Sequence, residues 1–456
     1  MTVHGTPAPE TTVVVPTVGR SPWLAACLRA LRRQADAAAL EILVVDQAPQ
    51  PLALPPGLAD RVLRPERNLG FAGGTNLGLA AARGELLATV NDDAVVGPGW
   101  LAALTAALRG DPRAAAAQGI NVLAGPAGMD TGKAYGRGDH DSGDDDSGGD
   151  DGGRDHGARP GDRLGQDAPE RIDGCGLGWN RWWQAIQIGH GEPLPAAAAA
   201  TTASAASGGL APPHAASALT GTDQAPVQTS GSSPVAMKPA ASQLAPAPVT
   251  PASSTLAPDW QPAGGAVAAV EVFGVSATAA LFRRSALEQV ALGGEVFDPR
   301  LVSYYEDAEL AGRLRAAGFS ALLVPAARAR HLGSASVRTA AAGRERWRLI
   351  YGNRYLAAAR LLGRGLWPRL PLMLLRDLLD VAGPAALLHE LLRRDSGLPA
   401  GDRGTGPRDR RGRLSGLAAG WGRALRHLPS FARTGAPAPA PAEVARLSRW
   451  PAQLQR

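Results

Sequence analysis

Two clusters, far apart in the chain, hold residues whose types and spacing suit catalysis. Asn91-Asp92-Asp93 directly follows the apolar run Leu86 to Val90, and Tyr304-Tyr305-Glu306-Asp307 heads the helical-looking stretch Ala308 to Gly318. A carboxylate at the end of a buried strand lies where open α/β sheets present ligands. A carboxylate pair at a helix start can be held ionised by the helix dipole. A divalent cation with hard oxygen ligands at the first cluster would neutralise a diphosphate leaving group, Mn2+ or Mg2+ being the expected ion. A carboxylate at the second would act as general base toward an attacking hydroxyl. Together they point to sugar transfer from a nucleotide-diphosphate donor. Asp93 is the foremost candidate ligand, with Asp92 beside it and Asn91 two positions before; simple capping of the following turn is the competing reading.

These clusters need elements to position them. Thr11 to Val15 reads as a buried strand stopped by Pro16. Ser21-Pro22 is an N-cap with proline at the first helical position, followed by Leu24, Leu28 and Leu31 at helical spacing. Glu41 to Asp46 is a second strand ending in a carboxylate, Leu86 to Val90 another, and Pro98 to Leu108 a helix with Leu101, Leu104 and Leu108 on one face. Strands alternating with helices predict an α/β fold with a mostly parallel sheet. Regular structure resumes at Val267 to Phe273, continues as a helix from Ala308 closed by Gly318, and as a strand from Ser320 to Val324 closed by Pro325. From Arg344 onward Trp347, Ile350, Tyr351 and Leu356 suggest helices. Between the two halves lie an acidic Gly/Asp-rich stretch, 136–168, and an Ala/Pro/Ser/Thr-rich stretch, 195–262, both expected to be disordered insertions. Calcium-binding turns in the first lack the apolar position of a β-roll repeat. The expected division is a disordered 1–10, a catalytic domain over 11–335 broken by the insertions, a helical extension over 336–394, and a loosely ordered Arg/Gly/Pro-rich tail over 395–456.

With 456 residues the chain has room for more than one domain, but these insertions reduce that to one main domain with appendages. Two cysteines, Cys27 and Cys175, cannot build a disulfide scaffold and suit a reducing cytosol. The N-terminus lacks the basic-then-apolar pattern of a signal peptide, and no uncharged apolar run is long enough to span a bilayer. The net charge of +6 conceals a split: residues 338–456 carry 22 Arg and no Lys against 8 Asp and Glu, a balance of +14, leaving −8 for the rest. A basic tail can meet nucleic acid or an anionic membrane surface. Beyond Gly401 the aromatics Trp421, Phe431 and Trp450 are too widely spaced for base stacking, so no nucleic-acid partner is expected. Leu366 to Arg394 mixes apolar runs with arginines, the pattern of a segment lying on the inner leaflet of the cell membrane or packing on the catalytic domain.

The ordered set Val-Val-Pro-Thr (14–17), Val-Val-Asp (44–46), Asn-Leu-Gly-Phe-Ala-Gly-Gly-Thr-Asn (68–76), Asn-Asp-Asp (91–93), Gly-Val-Ser-Ala (274–277), Glu-Asp-Ala-Glu-Leu (306–310) and His331 resembles family 2 glycosyltransferases, most closely the bacterial rhamnosyltransferase- and galactofuranosyltransferase-type branch. The resemblance spans roughly residues 10–130 and 171–360. It implies the GT-A type of nucleotide-diphospho-sugar transferase fold and inversion at the anomeric carbon. It implies donor contacts from Pro16, Thr17, Asp46, the Gly-rich loop with Asn68, Gly70, Gly73, Gly74 and Asn76, and Asn91 and Asp92. Asp93 and His331 would hold the metal, with Asn91 standing where the motif has its first Asp. Asp307 would be the catalytic base, and Glu306 would orient a sugar hydroxyl. Ser276, Ala277 and Trp179 would meet the acceptor, expected to be a cell-surface polysaccharide or lipid-linked glycan precursor. The runner-up is a non-catalytic nucleotide-sugar-binding or scaffold protein of the same fold. A sugar-phosphate nucleotidyltransferase needs a longer basic loop after the first strand than Pro16 to Arg20 provides.

Overall fold

The computed structural model describes residues 9–34, 40–123, 170–194, 268–332, 340–382, 407–432 and 439–451. The expected insertions 136–168 and 195–262 lie outside them. The first part of the chain alternates as expected: β1 (Thr11–Thr17), α1 (Leu24–Arg32), β2 (Leu40–Asp46), β3 (Arg61–Leu63), α2 (Gly70–Ala81), β4 (Leu86–Val90), β5 (Ala94–Val96) and α3 (Trp100–Gly110). Then come β6 (Ala114–Leu123), β7 (Ile172–Gly174), β8 (Leu177–Trp179), β9 (Ala185–Gln187), β10 (Val270–Val272), β11 (Ala279–Arg283), α4 (Arg284–Val290), α5 (Glu306–Ala316) and β12 (Ser320–His331). Four helices finish the described chain: α6 (Ala340–Leu362), α7 (Leu370–Ala382), α8 (Pro407–Ala432) and α9 (Pro441–Leu447).

The main sheet runs β10-β12-β6-β11-β4-β1-β2-β3, with β5 added to β12 and β7 to β6. Strands β1 to β4 are parallel, β11 is antiparallel to β4 and β6, and β12 is parallel to β6. Central strands are apolar on both faces because helices cover both. Val14 and Val45 join the core on one face, and Val13, Val15 and Val44 join the core on the other, under Leu28 and Leu31 of α1 and Leu104 and Leu108 of α3. Each fully buried leucine contributes about 1.5–3 kcal/mol. A third core joins Leu177, Trp179, Phe273, Leu301 and Ala308 to Leu356, Leu366, Phe431, Val444 and Leu447 from the C-terminal helices. The backbone closes the same seam: Phe273 N–H donates to the Leu447 carbonyl at 3.0 Å and Trp179 N–H to Ser448 Oγ at 2.8 Å, while the Trp450 ring lies over Gly189. Arg360 of α6 forms ion pairs with Asp298 at 2.9 Å and Glu309 at 3.0 Å, all buried. Removing one member of such a group typically costs about 3–5 kcal/mol.

Four expectations need correction. Pro16 does not stop β1; it sits within the strand opposite Val45, past the last β1–β4 pairing at Val14, where its missing N–H costs no ladder bond. The Gly-rich 70–76 is the first half of helix α2, not a loop. The strand from Ser320 does not end at Val324: it runs on through a register shift around Pro325 to His331. The tail is not loosely ordered where it is described, since α8 and α9 pack into the third core. Among the described residues no helix is long and apolar enough to cross a membrane. The turn before α7 and α7 itself still expose Trp367, Leu372, Leu375, Leu378 and Leu379, between 37% and 58% accessible.

Candidate active site

Asp93 follows β4, where the chain turns into β5. His331 ends β12 and pairs with Ala94 of β5, and Leu332 N–H donates to the Asp93 carbonyl. This register sets His331 Nε2 3.1 Å from Asp93 Oδ1. The other ring nitrogen, Nδ1, lies 2.8 Å from Asp173 Oδ2. Burial alone would lower the imidazole's pKa, but the hydrogen bonds it donates to Asp173 and Asp93 prevail and push it up to about 10. Without a cation the ring therefore carries both protons and bridges two carboxylates; a cation taken up between Nε2 and Asp93 would displace the Nε2 proton and leave Nδ1–H on Asp173. Asp92 turns the other way: Thr17 Oγ1 donates to its Oδ2 at 2.5 Å, and Ser21 Oγ to its carbonyl. Burial, reinforced by the Asp93 charge, pushes Asp92 up to about 6 against the Thr17 bond and His331. Asn91 keeps a buried side-chain oxygen with no hydrogen-bond partner.

The metal expectation can be tested against this set. Asp93 and His331 offer one hard oxygen and one imidazole nitrogen at the separation of two ligands sharing one ion, which suits Mn2+ or Mg2+. Asn91, two residues before Asp93, keeps an acceptor oxygen that no protein group uses. Among the described residues no group of three His, Cys, Asp or Glu is placed to hold an ion by itself. Two protein ligands leave the remaining positions to a diphosphate, so the residues fit a substrate-bridged cation.

Asp307 stands in the first turn of α5, and its neighbours define its role. Ala308 N–H donates to its Oδ1 at 2.8 Å and Ala277 N–H to its Oδ2 at 3.4 Å, with the Ser276 hydroxyl adding a third bond. Burial raises its pKa against these donors. Glu306 Oε2, by contrast, is buried without a partner, and burial plus the Asp307 charge push this carboxyl up to about 8. Only one of two adjacent buried carboxyls can ionise freely. The one with three donors keeps the charge, and Glu306 holds the proton. Ser276 and Ala277, expected at the acceptor, are buried and grip the Asp307 carboxylate instead. Ser276 is itself set by Gln118, which accepts its N–H at 2.6 Å, and by Gln187, which donates to its hydroxyl at 3.0 Å.

The backbone leading to Asp307 is held in an unusual shape. Val302, Tyr304 and Tyr305 all have positive φ, 64°, 69° and 72°. Each such non-glycine residue costs on the order of 1–3 kcal/mol and persists only where its surroundings hold it. Asn353 of α6 does so, its amide lying 2.6–2.9 Å from the carbonyls of Leu301, Ser303 and Tyr304. From the donor side Ala72 N–H bonds the Val302 carbonyl and Phe71 N–H bonds Ser303 Oγ. Gly70, at φ 73°, permits this approach, since a Cβ there would fall 2.6 Å from Val302.

A cleft of about 460 Å³ adjoins the donor side, lined by Arg20, Gln47, Arg64, Glu66, Arg67 and Asn68 among others. Several expected donor contacts are spent on the protein itself. Asp46 is buried, with Oδ1 accepting from Ala48 N and Oδ2 from Leu52 N and Arg64. Asn76 trades both ends of its amide with the Phe297 backbone, at 2.7 and 2.9 Å. Gly74 is buried under the Gln47 side chain, and Gly73 lies in the helix against Leu69. Asn68 is exposed at the cleft and caps Gly70 N–H. Trp179 cannot stack on an acceptor: it is 4% exposed and packs against Tyr305, ring centroids 6.2 Å apart. Sequence reasoning missed Gln47, Gln118, Asp173, Gln187 and Asn353, whose roles arise from long-range register.

Residues 12–127 match the family described as Glycosyl transferase family 2. No curated protein matches the chain. Similar solved structures include GalNAc-T7 with UDP, GalNAc and Mn2+ (13% identity, TM-score 0.39, covering 71% of this chain and 44% of that one). Others are TarS of S. aureus (13%, 0.34, 78% and 43%) and mannosyltransferase PcManGT from Pyrobaculum calidifontis with GDP-Man and Mn2+ (15%, 0.39, 92% and 87%). The chain spans less than half the length of the first two. The fold agrees with the GT-A type expected, a mixed, mostly parallel sheet flanked by helices with a helical C-terminal region.

Proposed function

From a chain whose residues 12–127 match glycosyl transferase family 2, we propose an inverting glycosyltransferase that moves a sugar from a nucleotide-diphosphate donor to a hydroxyl of a glycan or lipid-linked acceptor. One observation carries the reading: the three-residue segment Ser276 to Thr278 ties both halves of the site together. Thr278 accepts from Asn91 N–H at 2.8 Å, beside the Asp93–His331 pair, and Ala277 N–H reaches Asp307. A leaving-group site and a base thus share one rigid edge.

In the proposed reaction Asp307 takes the proton of the acceptor hydroxyl as its oxygen bonds the anomeric carbon and the carbon–phosphate oxygen bond breaks. Glu306, protonated, adds no second negative charge near the electron-rich nucleophile. Asp93 and His331 would hold a divalent cation that neutralises the departing diphosphate. Arg20 and Arg67, in the adjoining cleft, supply positive charge toward the nucleotide. The motif set resembles the rhamnosyl- and galactofuranosyl-transferring branch, so dTDP- and UDP-sugars head the candidate donors. Incubating purified protein with UDP-, dTDP- and GDP-sugars and Mn2+ or Mg2+ should release nucleotide from one donor class. Donor binding without release from any of them would favour the non-catalytic alternative.

The exposed apolar face of Trp367, Leu372, Leu375, Leu378 and Leu379, on a C-terminal region of charge +14, supports contact with an anionic membrane surface. Co-sedimentation should occur with anionic vesicles, not neutral ones, and weaken with salt. Equal absence of binding to both would remove the membrane from this reading.

A further inference from the structure

We infer that Asp173 is the positioning residue that makes His331 a metal ligand, an inference that rests on the metal site proposed above. It starts from a bulge. On β6 the consecutive residues Asn121 and Val122 pair with Gly174 and Ile172, so Asp173 is the extra residue on β7 between them. Bulges of this kind re-aim a side chain and recur beside active sites. Here the bulge sends the Asp173 carboxylate to His331 Nδ1, at 2.8 Å.

The consequence follows from the two ring nitrogens. A histidine whose Nδ1–H donates to a carboxylate has its tautomer fixed, with the Nε2 lone pair left to coordinate. His331 Nε2 is the atom that faces Asp93. Asp173 also keeps the ring from swinging about its Cβ–Cγ bond, because both nitrogens then have assigned partners. His190 completes the arrangement. Its Nδ1 lies 2.8 Å from the Asp173 carbonyl and 3.6 Å from Oδ1, so the bulge is gripped from the turn after β9. That turn is backed by Trp450 over Gly189. The grip makes Asp173 a fixed reference point, and the His331 ring inherits that position.

Mn2+ titrated in the presence of UDP, followed by calorimetry or by the loss of free-ion paramagnetic resonance signal, tests this. Asp173→Ala should weaken Mn2+ binding by roughly 10–100-fold, the usual effect of losing a carboxylate behind a ligating histidine. Asp173→Asn keeps an acceptor for Nδ1–H and should restore part of the affinity, while guarding against a misfolded alanine variant. In activity assays the concentration of Mn2+ for half-maximal rate should rise more than the maximal rate falls, which a general loss of structure would not produce. In a His331→Ala background Asp173→Ala should have no further effect on Mn2+ binding. If His331→Ala weakens Mn2+ binding and Asp173→Ala does not, this inference is overturned and the metal site stands. If His331→Ala also binds Mn2+ like the parent protein, the metal-site reading itself fails.

Discussion

Replacing Asp307 by Asn lowers the transfer rate at saturating substrates by about 10²-fold or more, the range for losing a general base, with donor affinity retained. Asparagine preserves the size of the side chain and keeps one oxygen to accept from Ala308 N–H, giving up only the longer 3.4 Å contact from Ala277 N–H, so the shape is largely kept while basicity is lost. Turnover against nucleotide binding is the measurement. A collapse of donor affinity with turnover intact would make Asp307 a binding residue. Glu306→Gln provides the contrast, because Gln copies a carboxyl that is already neutral, and its rate loss should be far smaller. Its effect lies in stability. The folded Glu306 is pushed up to about 8 from an ordinary 4.5. Between those values the folded state keeps a proton that the unfolded state releases, so the contribution is full below 4.5 and is lost as pH rises through about 8. The melting temperature of Glu306→Gln should therefore fall less than that of the parent across this interval.

Replacing Asp93 by Ala should reduce transfer on the order of 10²- to 10³-fold, since a metal clamp on a leaving group is worth several kcal/mol and each 1.36 kcal/mol is tenfold. His331 would lose the group that Nε2 faces and could not alone anchor a cation. Excess chelator should reduce the parent protein to a similar level and add little to the variant. Undiminished turnover in chelator would refute the metal assignment for both residues.

The strand-end carboxylates were legible because both signals are local: an apolar run followed by Asp, and acids at a helix start. The register that unites them was not. Asp173 acquires its role from a bulge between strands separated by nearly fifty residues, and Asn353 from a helix docking against a loop fifty residues earlier. Glycine misled twice. In α2 it lowers helix propensity by about 1 kcal/mol per residue, yet Gly74 and Gly78 are needed where Gln47 and Val14 press on the helix. In the tail glycine suggested looseness, whereas Gly416 and Gly420 let α8 close on Trp347 and Gly352 of α6. Asn76 shows the converse: an amide in a motif position whose hydrogen-bonding capacity is spent within the fold.

The seam formed by Leu447, Ser448 and Trp450 sets a timetable for synthesis. The donor-side sheet, including Asp93, can pair once His331 has left the ribosome, but Phe273, Trp179 and the Gly189 turn meet their partners only after residue 450 emerges. At about 5–20 residues per second, that leaves on the order of ten seconds during which the half of the fold that carries Asp307 lacks its backing. A nascent chain in that interval would present the apolar faces of Leu177, Trp179 and Phe273 to folding assistants, and the Tyr305 ring beside Asp307 would lack a settled Trp179 to pack on.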